Sequence, residues 1–278
     1  MIPKGRSFYK MSGSGNDFIM VDAREEPPGR LAEPSVIARL CARGTGVGAD
    51  GIVFLERSDR AAVKLVYLNS DGSAADFCGN ATLCTVRLAI ELGAAPLSDF
   101  MIETDSGVVA ARMAGGVPEI DLEPVVDVRS NAPEIEPGGG ETSVGFALAG
   151  VPHLVVLCDD VSTVDLVGRG RPLRRHGSLP AGANVNFVSR AADRGTSGHR
   201  WRMRTYERGV EGETLACGSG AVATAILLTD WGEASGPVEL ETSSGRVLRV
   251  RLDRTSGGWS PSLAGEGRVV YQGTLAET

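Results

Sequence analysis

A mixed α/β (α+β) fold built as two similar halves, each a sheet wrapped round a central helix, is what this 278-residue sequence predicts. Three observations predict it. A set of landmarks occurs twice in the same order, each half reads as strands, a helix and further strands, and the helix of the second half is apolar on nearly every side. Such a helix needs enclosure, which a curling sheet provides.

The repeat has four landmarks. Asn16-Asp17-Phe18-Ile19-Met20-Val21-Asp22, a polar turn running into an apolar strand, has the same outline as His153-Leu154-Val155-Val156-Leu157-Cys158-Asp159. Gly48-Ala49-Asp50-Gly51-Ile52-Val53-Phe54 is echoed by Gly182-Ala183-Asn184-Val185-Asn186-Phe187-Val188. Cys78-Gly79-Asn80-Ala81 is echoed by Cys217-Gly218-Ser219-Gly220, and Ile102-Glu103-Thr104-Asp105-Ser106-Gly107 by Leu240-Glu241-Thr242-Ser243-Ser244-Gly245. Four matches in order, at a nearly constant offset close to half the chain, argue for two homologous domains. Facing domains would place equivalent residues across a shared cleft, a common location for small-molecule sites.

The elements follow from local signals. The runs 52–55, 63–67 and 247–252 are β-rich and bounded by Gly, Asp or Ser turns. Residues 79–92 and 218–231 read as helices, each stopped by a glycine, Gly93 and Gly232. Pro137-Gly138-Gly139-Gly140 is a loop.

Composition removes several functions. Apolar residues make up 42% and charged residues 23%, ordinary values for a globular protein. The net charge of −7 and the absence of a basic tract oppose binding to nucleic acid or an anionic membrane. The opening residues lack the apolar core of a secretory signal, and no apolar run reaches the roughly 20 residues that span a bilayer. A soluble, cytoplasmic protein is therefore expected. Five scattered cysteines do not make a disulfide scaffold. His153, His176 and His199 are too far apart in the chain to suggest a metal site, and Gly44-Thr45-Gly46-Val47-Gly48 lacks the spacing of a dinucleotide loop. The three lysines, Lys4, Lys10 and Lys64, have no Schiff-base context, so no cofactor is expected.

Two cysteines stand apart. Cys78 and Cys217 each sit immediately before a predicted buried helix, where unpaired N–H groups and the helix dipole favour negative charge. That position lowers a thiol pKa from its usual ~8.5 and also holds carboxylates. Gly79, Asn80, Gly218 and Ser219, which open the two helices, are expected to bind substrate there. A thiolate on one face of an α-carbon and a thiol on the other would invert the centre without a cofactor. Cys41, Cys84 and Cys158 lack this context and are assigned to the core.

The motifs Gly13-Ser14-Gly15-Asn16-Asp17-Phe18, Asn69-Ser70-Asp71-Gly72-Ser73, Cys78-Gly79-Asn80, Pro152-His153, Asn184-Val185-Asn186-Phe187, Tyr206-Glu207-Arg208-Gly209 and Glu213-Thr214-Leu215-Ala216-Cys217-Gly218-Ser219-Gly220 together resemble the diaminopimelate epimerase family. The resemblance covers almost the whole chain. It implies two pseudo-symmetric domains, 1–120 with 264–278 and 121–263, each a barrel-like mixed sheet around a central helix. It implies an isomerase with Cys78 and Cys217 as acid and base, His153 and Glu207 tuning thiol protonation, and Asn16, Asn69, Asn184 and Arg208 contacting substrate. The substrate would be a small amino acid, by default LL-diaminopimelate converted to the meso form, and a homodimer is one expectation for the assembly.

Three positions depart from the family pattern: Ala81 replaces a glycine, Leu83 an arginine and Val151 an asparagine. The last removes an amide that in the family helps recognise the distal end of the substrate. These departures keep a second reading in view, a relative acting as racemase or double-bond isomerase on another amino-acid-derived molecule. Thiol redox chemistry and non-catalytic amino-acid binding are the readings from other classes. The first requires a redox cycle, and the second leaves two thiols at repeat-related helix starts unexplained.

Overall fold

A computed structural model describes residues 5–74, 77–132, 134–191 and 200–276. Lys4 and His199 lie outside the described residues. The chain divides into two compact units, Met1–Ile120 with Ala264–Thr278, and Asp121–Leu263.

The first unit contains β1 (Ser7–Gly13), β2 (Asn16–Asp22), α1 (Pro34–Cys41), β3 (Gly51–Glu56), β4 (Val63–Asn69), α2 (Gly79–Glu91), β5 (Phe100–Thr104), β6 (Gly107–Ala114) and β7 (Val117–Asp121, its last residue falling at the boundary), with the C-terminal strand Arg268–Thr274. Strand β1 pairs antiparallel with both the C-terminal strand and β2. From there the pairing alternates: β2–β3 parallel, β3–β4 antiparallel, β4–β5 parallel, β5–β6 antiparallel. Parallel neighbours need a crossover. Helix α1 links β2 to β3 and α2 links β4 to β5.

The second unit contains β8 (Val128–Arg129), β9 (Glu141–Ala149), β10 (Val151–Cys158), α3 (Leu166–Arg174), β11 (Asn184–Arg190), β12 (Arg200–Glu207), β13 (Gly212–Thr214), α4 (Gly218–Asp230), β14 (Val238–Glu241), β15 (Val247–Arg254) and β16 (Trp259–Ala264, ending at the boundary). The alternation recurs: β9–β10 antiparallel, β10–β11 parallel, β11–β12 antiparallel, β12–β14 parallel, β14–β15 antiparallel. Here α3 and α4 serve the two parallel pairs. The repeat read in the sequence is thus a repeat of pairing order.

One helix of each unit lies inside its sheet. Residues 80–86, Leu88 and Ala89 of α2 are buried, as are residues 220–228 of α4. The buried hydroxyls are satisfied within the molecule: Thr85 Oγ1 donates to Ala81 O at 3.0 Å and Thr224 Oγ1 to Met203 Sδ at 3.3 Å. Close approach needs small residues. A Cβ on Gly13 of β1 would lie 2.6 Å from Asn80 O of α2, and one on Gly145 of β9 would lie 2.7 Å from Leu227 Cδ2 of α4. The two central helices end one residue earlier than the sequence reading, and Gly93 (φ 66°) and Gly232 (φ 74°) take the left-handed conformation that stops them.

The other helix of each unit covers the opposite face of the sheet. Val36, Ile37, Leu40 and Cys41 of α1 pack with Ile19, Val21, Ile52 and Phe54, while Leu166 and Leu173 of α3 pack with Leu154, Val156, Val185 and Phe187. Strands β2, β3, β10 and β11 are therefore buried on both faces, which explains their unbroken apolar runs. Among the described residues no helix is long and apolar enough to cross a membrane.

The enclosure of α4 makes a direct prediction. Leu227→Ala removes a fully buried side chain and should cost about 2–5 kcal/mol, read from a urea unfolding curve. Leu148→Ala, at a 41% exposed position of β9, should change stability by about 0.5 kcal/mol or less. Equal effects would contradict the packing.

Candidate active site

Cys78 and Cys217 occupy the same structural position. Each is the N-cap of the central helix in its unit, with φ, ψ of −135°, 106° and −136°, 108°. In both, the carbonyl accepts the first helical hydrogen bond at 2.9 Å, from Thr82 N and from Ala221 N. The extended N-cap backbone directs the following N–H groups past the cap side chain. At Cys217 the Gly220 N–H donates to Sγ at 3.4 Å, and Ser219 Oγ lies 3.7 Å from the same sulfur. Gly79 and Asn80 hold the corresponding places after Cys78, Gly218 and Ser219 those after Cys217. Cys217 is buried and Cys78 partly exposed.

The other three cysteines belong to the packing. Burial pushes the Cys41 and Cys158 thiols up to about 11, and it raises Cys84 further still. None of them starts a helix.

In the second unit, three adjacent strands bring the named residues into one row. His153 of β10 stands opposite Asn184 of β11, and the next strand places Val185 opposite Tyr206, one residue before Glu207. Asn184 Oδ1 accepts the backbone N–H of Arg208 at 2.8 Å, and Arg208 Nη1 donates to Ala181 O at 3.0 Å. Glu207 Oε2 accepts from Thr214 Oγ1 at 2.7 Å, which ties it to the segment leading into Cys217. His153 is fully buried. Burial first, and the nearby Arg208 charge second, lower its pKa to about 3, so the imidazole is neutral at neutral pH. Its Nδ1 faces Asn186 Nδ2 at 3.2 Å, and its buried Nε2 has no hydrogen-bond partner among the described residues.

In the first unit a charged network anchors the equivalent row. Lys10, buried within β1, donates to Asp17 Oδ2 at 2.5 Å and to Gly48 O. Arg43 spans Asp17 Oδ1 at 2.6 Å and Asp50 Oδ1 at 2.7 Å. Burial works against ionisation of Asp17, yet the hydrogen bonds from Arg43 and Lys10 hold its carboxyl below the usual range. Asn16 Nδ2 donates to Asp50 Oδ2 at 3.1 Å, and Asn16 Oδ1 accepts from Asn80 Nδ2 at 2.6 Å. A carboxylate only accepts, so Asp50 decides which way the Asn16 amide points. Asn16 then decides the same for Asn80, whose buried Oδ1 has no partner among the described residues. Asn69, at the end of β4, accepts from Tyr67 at 3.1 Å and donates to Ser73 Oγ at 3.0 Å.

Each unit thus gathers its own predicted residues: Asn16, Asn69, Cys78, Gly79 and Asn80 in the first, His153, Asn184, Glu207, Arg208, Cys217, Gly218 and Ser219 in the second. The sequence reading gave no role to Asp50, Asn186 or Thr214. All three lie inside or beside quoted motifs, but their importance comes from side chains they meet across strands. Of the unusual positions, Leu83 is completely buried in the core and Val151 is the part-exposed first residue of β10, after the Gly150 turn. Among the described residues, no group of three or more His, Cys, Asp or Glu could hold a metal ion.

Comparisons with known proteins identify the family. The family model described as diaminopimelate epimerase matches residues 8–120 and 146–256. A diaminopimelate epimerase of Gemmatimonas aurantiaca is 47% identical, with 97% of this chain and 99% of the relative covered. One from Aquifex aeolicus is 35% identical, with 97% and 98% covered. Among solved structures, a phenazine biosynthesis protein of the PhzF family from Bacillus anthracis aligns at TM-score 0.74 and 14% identity, covering 99% of this chain and 100% of that one. A hydroxyproline epimerase from Agrobacterium vitis aligns at TM-score 0.64 and 18% identity, covering 99% and 94%. At those identities the structures speak for the fold alone. The family match over both repeats and the relatives along nearly the full length establish that the chain belongs to the diaminopimelate epimerase family.

Proposed function

We propose that the protein is a cofactor-independent isomerase that interconverts LL- and meso-diaminopimelate, with Cys78 and Cys217 as the paired acid and base. The observation that carries this reading is the shared geometry of the two thiols, each the N-cap of an enclosed helix in a member of this family. The relatives in Gemmatimonas aurantiaca and Aquifex aeolicus bear the diaminopimelate epimerase name, which supports this substrate over another amino acid.

In this reading one sulfur serves each face of the α-carbon. The thiolate takes the α-hydrogen as a proton, and the C–H electron pair passes into the carboxylate as an enediolate. The thiol on the other face delivers its proton to that carbon and becomes the new thiolate, so the pair exchanges protonation states in each turnover. The N–H groups opening α2 and α4, at Gly79, Asn80, Gly218 and Ser219, stabilise the charge that develops on the carboxylate. Positioned acid–base groups contribute about 10²–10⁴-fold, and oriented donors at the carboxylate supply further stabilisation.

His153 and Glu207 act on thiol protonation, while Asn16, Asn69, Asn184 and Arg208 hold the substrate. A planar guanidinium suits the second carboxylate of a dicarboxylic amino acid. The reaction belongs in the reducing cytoplasm, where both thiols stay unoxidised. In this account diaminopimelate is the molecule the protein engages.

Two experiments test the reading. Cys78→Ala and Cys217→Ala should each lower kcat for interconversion of the two stereoisomers by about 100-fold or more, with circular dichroism unchanged. Near-full activity in either folded variant would defeat the two-base reading. Val151→Asn should lower KM for diaminopimelate by about tenfold, the equivalent of one added hydrogen bond to a charged group. An unchanged KM would place distal recognition away from this position.

A further inference from the structure

We infer that Asn186 is a positioning residue that locks His153 in the neutral tautomer with its proton on Nε2, leaving that nitrogen only able to donate. The inference rests on the reading of His153 as part of the active site.

Four groups fix the arrangement. Asn186 Nδ2 lies 3.0 Å from Leu154 O, and a backbone carbonyl can only accept. The amide must therefore present its NH2 to that carbonyl, which assigns its oxygen and nitrogen. Thr205 Oγ1 agrees, donating to Asn186 Oδ1 at 2.9 Å from the other side. The second hydrogen of the same NH2 points to His153 Nδ1 at 3.2 Å. Nδ1 is then the acceptor, so the proton of the neutral ring resides on Nε2. Protonation of Nδ1 would set two N–H groups against each other, in the same direction as the burial that holds this imidazole neutral.

All members of this set are shielded from solvent. His153 and Asn186 are fully buried, and Thr205 is 2% exposed. The set also reaches the catalytic helix: a Cβ on Gly220 would lie 2.3 Å from Asn186 Oδ1 and 3.1 Å from Cys217 Sγ. Only glycine at this point lets the amide approach the helix start beside the sulfur. The buried Nε2 lacks a hydrogen-bond partner among the described residues. A buried N–H donor calls for an acceptor, and a thiolate sulfur or a carboxylate oxygen of the proposed reaction is the kind of acceptor it suits. His153 therefore stabilises negative charge as a neutral donor and takes no proton itself, which leaves proton transfer to the sulfurs.

Nitrogen-15 NMR of the imidazole reads the tautomer directly. The His153 signal is identified by its loss in His153→Gln, apart from the two other histidines of the chain. In the native protein without substrate at neutral pH, Nε2 should appear protonated and Nδ1 as an unprotonated acceptor. A proton on Nδ1, or an imidazolium, would overturn the inference. In Asn186→Asp the carboxylate can only accept, so Nδ1 should become protonated, and kcat should fall about tenfold or more with KM changed less. An Nδ1 that stays unprotonated in this variant, or an unchanged kcat once Nδ1 carries a proton, would overturn it as well. Should that variant fail to fold, the native signal decides alone. The tautomer is measured without turnover, so a failure of the epimerase reading would show in the cysteine variants and leave this result standing.

Discussion

Enclosing a helix inside a sheet solves one problem and creates another. The apolar flanks of α2 and α4 are satisfied by the strands around them, but the first turn of any helix presents N–H groups with no partner in the helix itself. On a surface, water would meet them. Here they open beside cysteines at the N-cap, and at Cys217 the sulfur itself receives one of them. The same unpaired donors that make a buried helix start costly make it a place where a thiolate or a carboxylate is welcome. The enclosure and the proposed chemistry depend on this one electrostatic feature, present once in each unit.

Around each helix start, polar side chains are fixed by groups that never need to touch substrate. Asp50, held by Arg43, orients Asn16 and through it Asn80. Leu154 O and Thr205 orient Asn186 and through it His153. The anchors differ in kind, a charged cluster in the first unit and a backbone carbonyl in the second. They leave opposite groups without a partner among the described residues, an acceptor on Asn80 and a nitrogen on His153. The two units share a pairing order but are not chemical copies, which suits a reaction whose acid and base must differ at any instant.

Much of this was legible in the amino-acid sequence because it depends on short-range pattern. The two glycine-stopped helices and the cysteines before them are local signals, and the repeat is the recurrence of such signals in one order. The covering helices were not read. Helix α3 is short and contains Gly168, Gly170 and Pro172, which obscure a helical pattern, and α1 is only eight residues long. The roles of Asp50 and Asn186 were hidden for another reason. They arise from contacts between strands, and no periodicity reports which amide faces which carboxylate. Leu83 and Val151 stood out as departures from the family pattern, but only the structure separates them: one is buried in the core, the other is part-exposed at the start of a strand.

In the proposed reaction the α-hydrogen leaves to one sulfur, and a different proton, carried by the other sulfur, takes its place on the opposite face. The most direct measurement is conversion of LL-diaminopimelate by the native protein in deuterated water, followed by mass spectrometry and NMR of the product. At early conversion the meso product should carry one deuterium, located at the inverted α-carbon, with the original hydrogen kept at the untouched centre. Meso product that retains the original hydrogen, or a folded protein that neither inverts nor exchanges this substrate, would contradict it.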